Sequence, residues 1–293
     1  MPAQPKNRLN CLLFGLNYND GLSMEALYIR DGDYFVPTER TGSPWDTKLL
    51  HGGAIAGLLA YAVEHCEPNP QMRFVRITND LFRPAPRVPI KLETRVVRDG
   101  QRISVIQALL IADGKEVAMA TALRARVQPI ELPDYAQPPK TTPRGPEGLN
   151  ITSFLGGGRQ SGTDKLPPGL HSVVEMKIVD GFQFRGAGTA WLRIKAQVVA
   201  GEDNTPLTYM GMMSDFGNGL GQVYLGGRTA CINADIDMHL NRYPQAQAWI
   251  GLASQTHIEA TGFGTTQTSL YDEQGPIGHV SQSLVVRDLT LGK

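Results

Sequence analysis

The strongest constraint on this chain is a pattern that occurs twice: an apolar helix, then a long meander of strands. Between the two copies the hydrophobic periodicity lapses. From 128 to 169 the chain is punctuated by Pro129, Pro133, Pro138, Pro139, Pro143, Pro146, Gly156, Gly157, Gly158, Pro167 and Pro168. Such composition makes a connector with little backbone hydrogen bonding of its own. The expected organisation is an N-terminal extension (1–24), a first unit (25–128), a Pro/Gly-rich linker (129–170) and a second unit (171–293). The first 23 residues carry no clear pattern, and Met24 is an alternative start.

In the first unit, short strands are expected at 26–30 and 33–38. The segment 51–65 contains Ala54-Ile-Ala-Gly-Leu-Leu-Ala-Tyr-Ala-Val, apolar on every side and rich in small residues. It reads as a buried helix rather than a surface one. Strands follow at about 73–83, 89–99, 102–112 and 115–127, with Asp99-Gly100 and Asp113-Gly114 as hairpin turn signals. In the second unit, strands near 172–180 and 188–199 lead to a helix at 206–220. Strands follow near 229–241, 247–260, 264–272 and 277–288. The fold class is α+β, built from one duplicated unit.

The duplication allows positions to be superposed. Asp80-Leu-Phe-Arg-Pro parallels Asp235-Ile and the later Arg242-Tyr-Pro, and Asp113-Gly114 parallels Gln274-Gly275. Counting from those anchors sets Asp215, Asn233 and Gln282 of the second unit on Ala60, Thr78 and Thr121 of the first. A carboxylate and two carboxamides thus replace a methyl group and two hydroxyls. A carboxylate in an apolar helix is costly unless it is solvated or hydrogen-bonded. Taken singly, Asp215 reads equally as a cap or ion-pair partner, and Asn233 and Gln282 as ordinary strand residues. If the three converge, they can bind and orient one water, with the carboxylate taking its proton.

His51-Gly52-Gly53 opens the first helix. Two glycines there leave free N–H groups at the positive end of the helix dipole, which suits a carbonyl oxygen gaining negative charge. The other reading is close helix–sheet packing. The matching place in the second unit, Pro206-Leu207-Thr208, is a plain helix start. One unit offers donors and the other an acid.

With His-Gly-Gly at the helix start, this order of elements resembles the hotdog fold. The duplicated chain is similar to the double-hotdog acyl-CoA thioesterases of the thioesterase II type, over about 25–128 and 170–289. In that family an Asp on the second-half helix, a Gln on a late strand and a Thr or similar residue on an intervening strand hold the water. Asp215 of Ser214-Asp215-Phe216, Gln282 of Ser281-Gln282-Ser283 and Asn233 of Ile232-Asn233-Ala234 match those places, with Asn where the best-known members carry Thr. The resemblance implies a double hotdog whose helices lie side by side, with Gly53 facing Asp215 across a pseudo-twofold axis. It implies one working site per chain, because the opposite pairing of Thr208 with Ala60 lacks its acid. The implied reaction is hydrolysis of a fatty acyl-CoA without metal or bound cofactor. Water is activated by Asp215, and direct attack by Asp215 through an anhydride is equally open. Alternatives are a non-catalytic acyl-CoA or lipid binder, and a hotdog enoyl-CoA hydratase using Asp46 and His51.

Composition narrows the partners. The 28 Lys+Arg balance 28 Asp+Glu, which argues against a nucleic-acid binder. No apolar run reaches the roughly 18 residues of a membrane span, and Lys6, Arg8 and the short run from Cys11 make no complete signal peptide. The chain reads as soluble and cytoplasmic, with self-association into a dimer or higher oligomer open. Cys11, Cys66 and Cys231 are too dispersed for a disulfide framework or metal knuckle. The remaining histidines show no ligand spacing, and Asp235, Asp237 and His239 read as one solvated strand face. No Gly-x-Ser-x-Gly elbow occurs, and Gly217-Asn-Gly-Leu-Gly221 is not a dinucleotide loop. Arg73, Arg76, Arg83, Arg87, Lys91 and Arg98 give the first meander a basic flavour that could meet coenzyme A phosphates.

Overall fold

The computed structural model describes residues 25–44, 46–138, 140–154, 167–181, 183–226 and 229–288. The expected N-terminal extension, Cys11 and Met24 lie outside them. The first region runs β1 (Glu25–Asp31), β2 (Tyr34–Pro37), α1 (Gly52–His65), β3 (Met72–Leu81), β4 (Ile90–Arg98), β5 (Ile103–Ala112) and β6 (Lys115–Arg126). After a short β7 (Thr152–Ser153) come β8 (Val174–Gly181), β9 (Ala187–Ile194), β10 (Ala196–Val199) and α2 (Pro206–Met213). A 3-10 turn (Ser214–Phe216) and α3 (Gly217–Leu220) follow, then β11 (Thr229–Asn233), β12 (Asp235–Leu240), β13 (Ile250–Ile258), β14 (Phe263–Asp272) and β15 (Gly275–Asp288).

Among the described residues all the strands belong to one sheet, with few helices. Its first stretch is ordered β1-β2-β4-β5-β6-β3 and its second β12-β15-β14-β13-β9-β8, and the two meet where β3 pairs antiparallel with β12. β10 continues β9 after a break at Lys195 and pairs in parallel with β1, so the chain ties distant parts of the sheet together. Inward positions alternate along the strands, as in β5, where Ser104, Ile106, Ala108, Leu110 and Ala112 are buried.

α1 is buried continuously from Gly53 to Val63. This explains its apolar character all round: one face meets the sheet and another meets α2. The two helices approach at paired glycines. A Cβ on Gly57 would stand 2.6 Å from Met212 Cγ, and one on Gly211 would stand 2.9 Å from the Ala56 carbonyl and from Ala60 Cβ. Burying side chains such as Leu58, Leu59 and Met210 contributes roughly 1.5–3 kcal/mol each.

Three expectations need correction. The helix expected over 206–220 is interrupted at Ser214–Phe216. There Ser214 Oγ donates back to the Gly211 carbonyl (2.8 Å), and the Asn218 N–H goes to a sheet side chain, Gln282 Oε1 (3.0 Å). A side chain inserted into a helix ladder breaks it in this way. The strand expected over 229–241 is divided at Ala234 into β11 and β12.

The third correction concerns the superposition. Both the β5–β6 and β14–β15 hairpins have two-residue loops, closed by Ala112↔Lys115 and Asp272↔Gly275. Asp113 and Gly114 both have positive φ and form the first loop, whereas Gly275 lies just after the second. Aligning the glycines therefore slips the register by one residue, and a one-residue slip exchanges the faces of a strand. Aligning the register shifts at Leu110/Ile111 and Leu270/Tyr271 puts Ala122, not Thr121, on Gln282. The irregularity between Phe74 and Arg76 matches the break at Ala234, which puts Phe74, not Thr78, on Asn233. Asp80 and Asp235 are cross-strand partners, not equivalents. Aligning the helix caps His51 and Thr205 sets Tyr61, not Ala60, on Asp215.

Candidate active site

The crossing of α1 and α2 carries the N-terminus of α1 to the 3-10 turn after α2. His51 is the N-cap of α1, and its Nδ1 accepts the Gly53 N–H at 3.0 Å. The same N–H reaches Asp215 Oδ2 at 2.9 Å, and His51 Nδ1 stands 3.0 Å from that oxygen. With a proton on Nδ1 the imidazole becomes a donor to Asp215; without one it shares the Gly53 N–H with it. A Cβ on Gly52 would stand 2.6 Å from Asp215 Oδ2, so a side chain there must displace the carboxylate.

The other carboxylate oxygen faces the sheet. Asn233 Nδ2, at the end of β11, donates to Asp215 Oδ1 at 2.6 Å, and Gln282 Nε2, on β15, approaches it at 3.4 Å. The Asp215 side chain is 9% exposed and that of His51 13%. Asp215 is therefore a shielded carboxylate held by three N–H donors, the arrangement that offsets the cost of burying charge. The long Gln282 contact leaves the loosest side of the carboxylate toward β15.

The six expected residues His51, Gly52, Gly53, Asp215, Asn233 and Gln282 thus lie within one cluster. One residue in it escaped the sequence reading. Asn218 donates its backbone N–H to Gln282 Oε1 and its Nδ2 to Asn233 Oδ1 at 2.8 Å. It sits in the glycine-rich segment set aside as a failed dinucleotide loop, and its polar position three residues after Asp215 was the available signal.

Aromatic groups wall the cluster. The His51 ring stacks on Phe216 at 5.3 Å between centroids, and Phe154 meets Phe216 edge-on at 4.9 Å. His171 is buried nearby. Burial, and then the neighbouring His51, hold its imidazole below the ordinary histidine range, against a bond to the Pro167 carbonyl.

Asp46 does not join the site. It is exposed, and its Oδ1 accepts the Lys48 N–H at 2.8 Å as a turn cap. At the start of α2 stands a different acid, not at the position matching Asp215: Glu64, near the end of α1, accepts from Thr205 Oγ1 at 2.5 Å. Burial raises the Glu64 carboxyl, opposed by the Thr205 hydroxyl and His65. Asp235 accepts from Ser283 Oγ, Asp237 accepts from Thr78 Oγ1, and His239 Nε2 lies 3.1 Å from Asp237 Oδ2. No cluster of three metal-ligating side chains occurs among the described residues. Of the basic set, Arg73 lies over the Tyr243 ring and Lys91 pairs with Glu93.

A shielded acid is thus held between a helix N-terminus and two sheet carboxamides. Residues 41–125 match the family model of the acyl-CoA thioesterase N-terminal domain and residues 138–286 that of the C-terminal domain. The chain belongs to the acyl-CoA thioesterase family and is a thioester hydrolase. Among solved structures it is similar to a hot dog fold protein of unknown function from Alicyclobacillus acidocaldarius (14% identity, 88% of this chain and 94% of that one, TM-score 0.65). It is also similar to the acyl-CoA thioesterase II TesB2 of Mycobacterium marinum (16%, 81% and 90%, 0.58). A third is the tesB protein of Mycobacterium avium subs paratuberculosis (14%, 88% and 94%, 0.63). No curated protein matches in sequence. No helix among the described residues is long and apolar enough to cross a membrane.

Proposed function

We propose that this chain hydrolyses fatty acyl-CoA at one site, between the N-terminus of α1 and the 3-10 turn after α2, with Asp215 as the base. In this reading the two regions are copies of one hotdog unit, with α1 and α2 as their central helices. The matching strand orders support it. The observation that carries the proposal is the set of donors around Asp215: Gly53 N–H on one oxygen, Asn233 and Gln282 on the other.

Water enters on the loose Gln282 side of Asp215 Oδ1. The thioester carbonyl takes the Gly53 N–H in place of Asp215 Oδ2, so substrate binding frees one carboxylate oxygen as it fills the donor. Water oxygen attacks the carbonyl carbon while Asp215 takes a water proton. The developing oxyanion is held at the end of the α1 dipole. Collapse breaks the C–S bond, and the proton on Asp215 goes to the departing coenzyme A thiolate. Donors fixed before the reaction begins need no reorganisation, which is their catalytic value.

The test is thiol release from short, medium and long acyl-CoAs by wild type and Asp215→Ala. Loss of the catalysed proton transfer is expected to lower the rate about 10²–10⁴-fold. Release unaffected by the substitution would remove Asp215 as the base. Acyl-CoA binding without release at any chain length would favour a non-catalytic binder.

A further inference from the structure

We propose that Asn218 is the positioning residue that fixes the direction of both carboxamides at Asp215; this rests on the reading of Asp215 as the base. A carboxamide is nearly symmetric in shape but not in function. Its nitrogen end supports a carboxylate and its oxygen end repels one. Something must therefore select the sense of Asn233 and of Gln282, and the geometry assigns both selections to Asn218.

For Gln282 the selector is a backbone group. The Asn218 N–H can only donate, so Oε1 is the end that faces it at 3.0 Å, and Nε2 is left for Asp215. Gln282 is 1% exposed, so solvent does not compete for either end. For Asn233 the selector is the side chain: Asn218 Nδ2 holds Oδ1 at 2.8 Å while Nδ2 of Asn233 reaches Asp215 at 2.6 Å. The break after α2 makes both contacts possible. α3 settles close to the sheet because Gly217 has no Cβ, which would otherwise overlap Thr268 Oγ1. The hydrogen bonds of Asn218 go to Gln282 and Asn233, and it acts on Asp215 through those two.

The two selections can be separated. Asn218→Ala keeps the N–H on Gln282 and removes only the hold on Asn233. Asn218→Asp keeps the shape but makes an acceptor, which turns Asn233 over and adds a negative charge. Kinetics would be measured for Asn218→Ala, Asn233→Ala and the double variant on the acyl-CoA that wild type cleaves best. Asn218→Ala is expected to lower kcat about tenfold to a hundredfold with little change in KM, and to cost less than about twofold when Asn233 is already alanine. In Asn218→Asp the acid limb of the pH–rate profile should move to higher pH. Unchanged kcat in Asn218→Ala, equal losses in both backgrounds, or an unmoved acid limb would each overturn the proposal. Side-chain amide exchange, read by NMR, gives an answer that does not depend on turnover. The Asn233 amide protons should exchange slowly in wild type and faster in Asn218→Ala, and equal exchange rejects the positioning role. A wild type that cleaves no acyl-CoA would defeat the thioesterase mechanism, while this exchange comparison would still decide what Asn218 does.

Discussion

Gly52→Ala isolates the position of the Asp215 carboxylate from its chemistry. The added methyl would lie 2.6 Å from Oδ2, 2.8 Å from Cγ and 2.9 Å from Oδ1. An ordinary contact begins near 3.4 Å, so the nearest oxygen must retreat by most of an ångström. The atoms in the way are the far end of one side chain rather than backbone. The fold can therefore absorb the methyl by rotating Asp215, and alanine in a helix is favoured over glycine by about 0.8–1 kcal/mol. Stability should fall by no more than about 1–3 kcal/mol, the cost of weakening the donors on a shielded carboxylate. Catalysis should not be spared, because the retreat lengthens the bonds from Gly53 N–H and Asn233 together. A misplacement of that size costs on the order of a hundredfold in rate. Thermal unfolding followed by circular dichroism, together with acyl-CoA hydrolysis, separates the two effects. A folded Gly52→Ala that retains activity within about twofold of wild type would refute the reasoning, since a base displaced by about 1 Å cannot keep its rate. So would a large loss of stability, because the clash would then be with something less yielding than one side chain.

Glu64→Gln tests the opposite helix pairing. Burial raises the Glu64 carboxyl in the folded state, so the protonated form is favoured there. Below the unfolded pKa both states are protonated and no cost arises; as pH rises through the folded value the native state loses stability. Glu64→Gln should therefore raise the melting temperature relative to wild type more at pH near 7 than near 4, and a pH-independent difference would show that the carboxyl is not perturbed. Asp46→Ala should leave acyl-CoA hydrolysis within about twofold of wild type, because Asp46 is an exposed turn cap. A loss of tenfold or more would return Asp46 and His51 to consideration as a catalytic pair.

The elements that were legible in the sequence are those set by local chemistry. The run Ala54–Val63 has no polar face, so it had to be enclosed, and the structure encloses it. Asp113-Gly114 has the residues that a turn with two positive φ values requires, and it forms one. Pro206 after Thr205 opens α2, with Thr205 Oγ1 accepting the Thr208 N–H. What escaped was set by residues far away in the chain. Gly217 and Gly219 weaken the helix locally, but what takes the Asn218 N–H is Gln282, far away on β15. The role of Asn218 was hidden for the same reason.

If the two regions are copies of one unit, as proposed, they are more asymmetric in strand pairing than in residue counting. Sequence counting set hydroxyls of the first unit against the amides of the second. Strand pairing sets Phe74 and Ala122 against Asn233 and Gln282, and all four face the enclosed side of the sheet. An apolar residue facing inward needs no partner, whereas a buried carboxamide left unpaired costs roughly 1–3 kcal/mol. The second unit offsets that cost only through Asp215 and Asn218, which engage both ends of each amide. The polar groups therefore form one interdependent set: an amide is tolerable with the acid, and the acid with the amides. On the proposed reading of two copies, the first-half equivalent of the acid is Tyr61, whose hydroxyl donates to Glu202, and Phe74 and Ala122 stand in place of the two amides. Placing an aspartate at Tyr61 alone would bury a charge without donors. On the proposed reading, a second working site would need Phe74 and Ala122 to change with it.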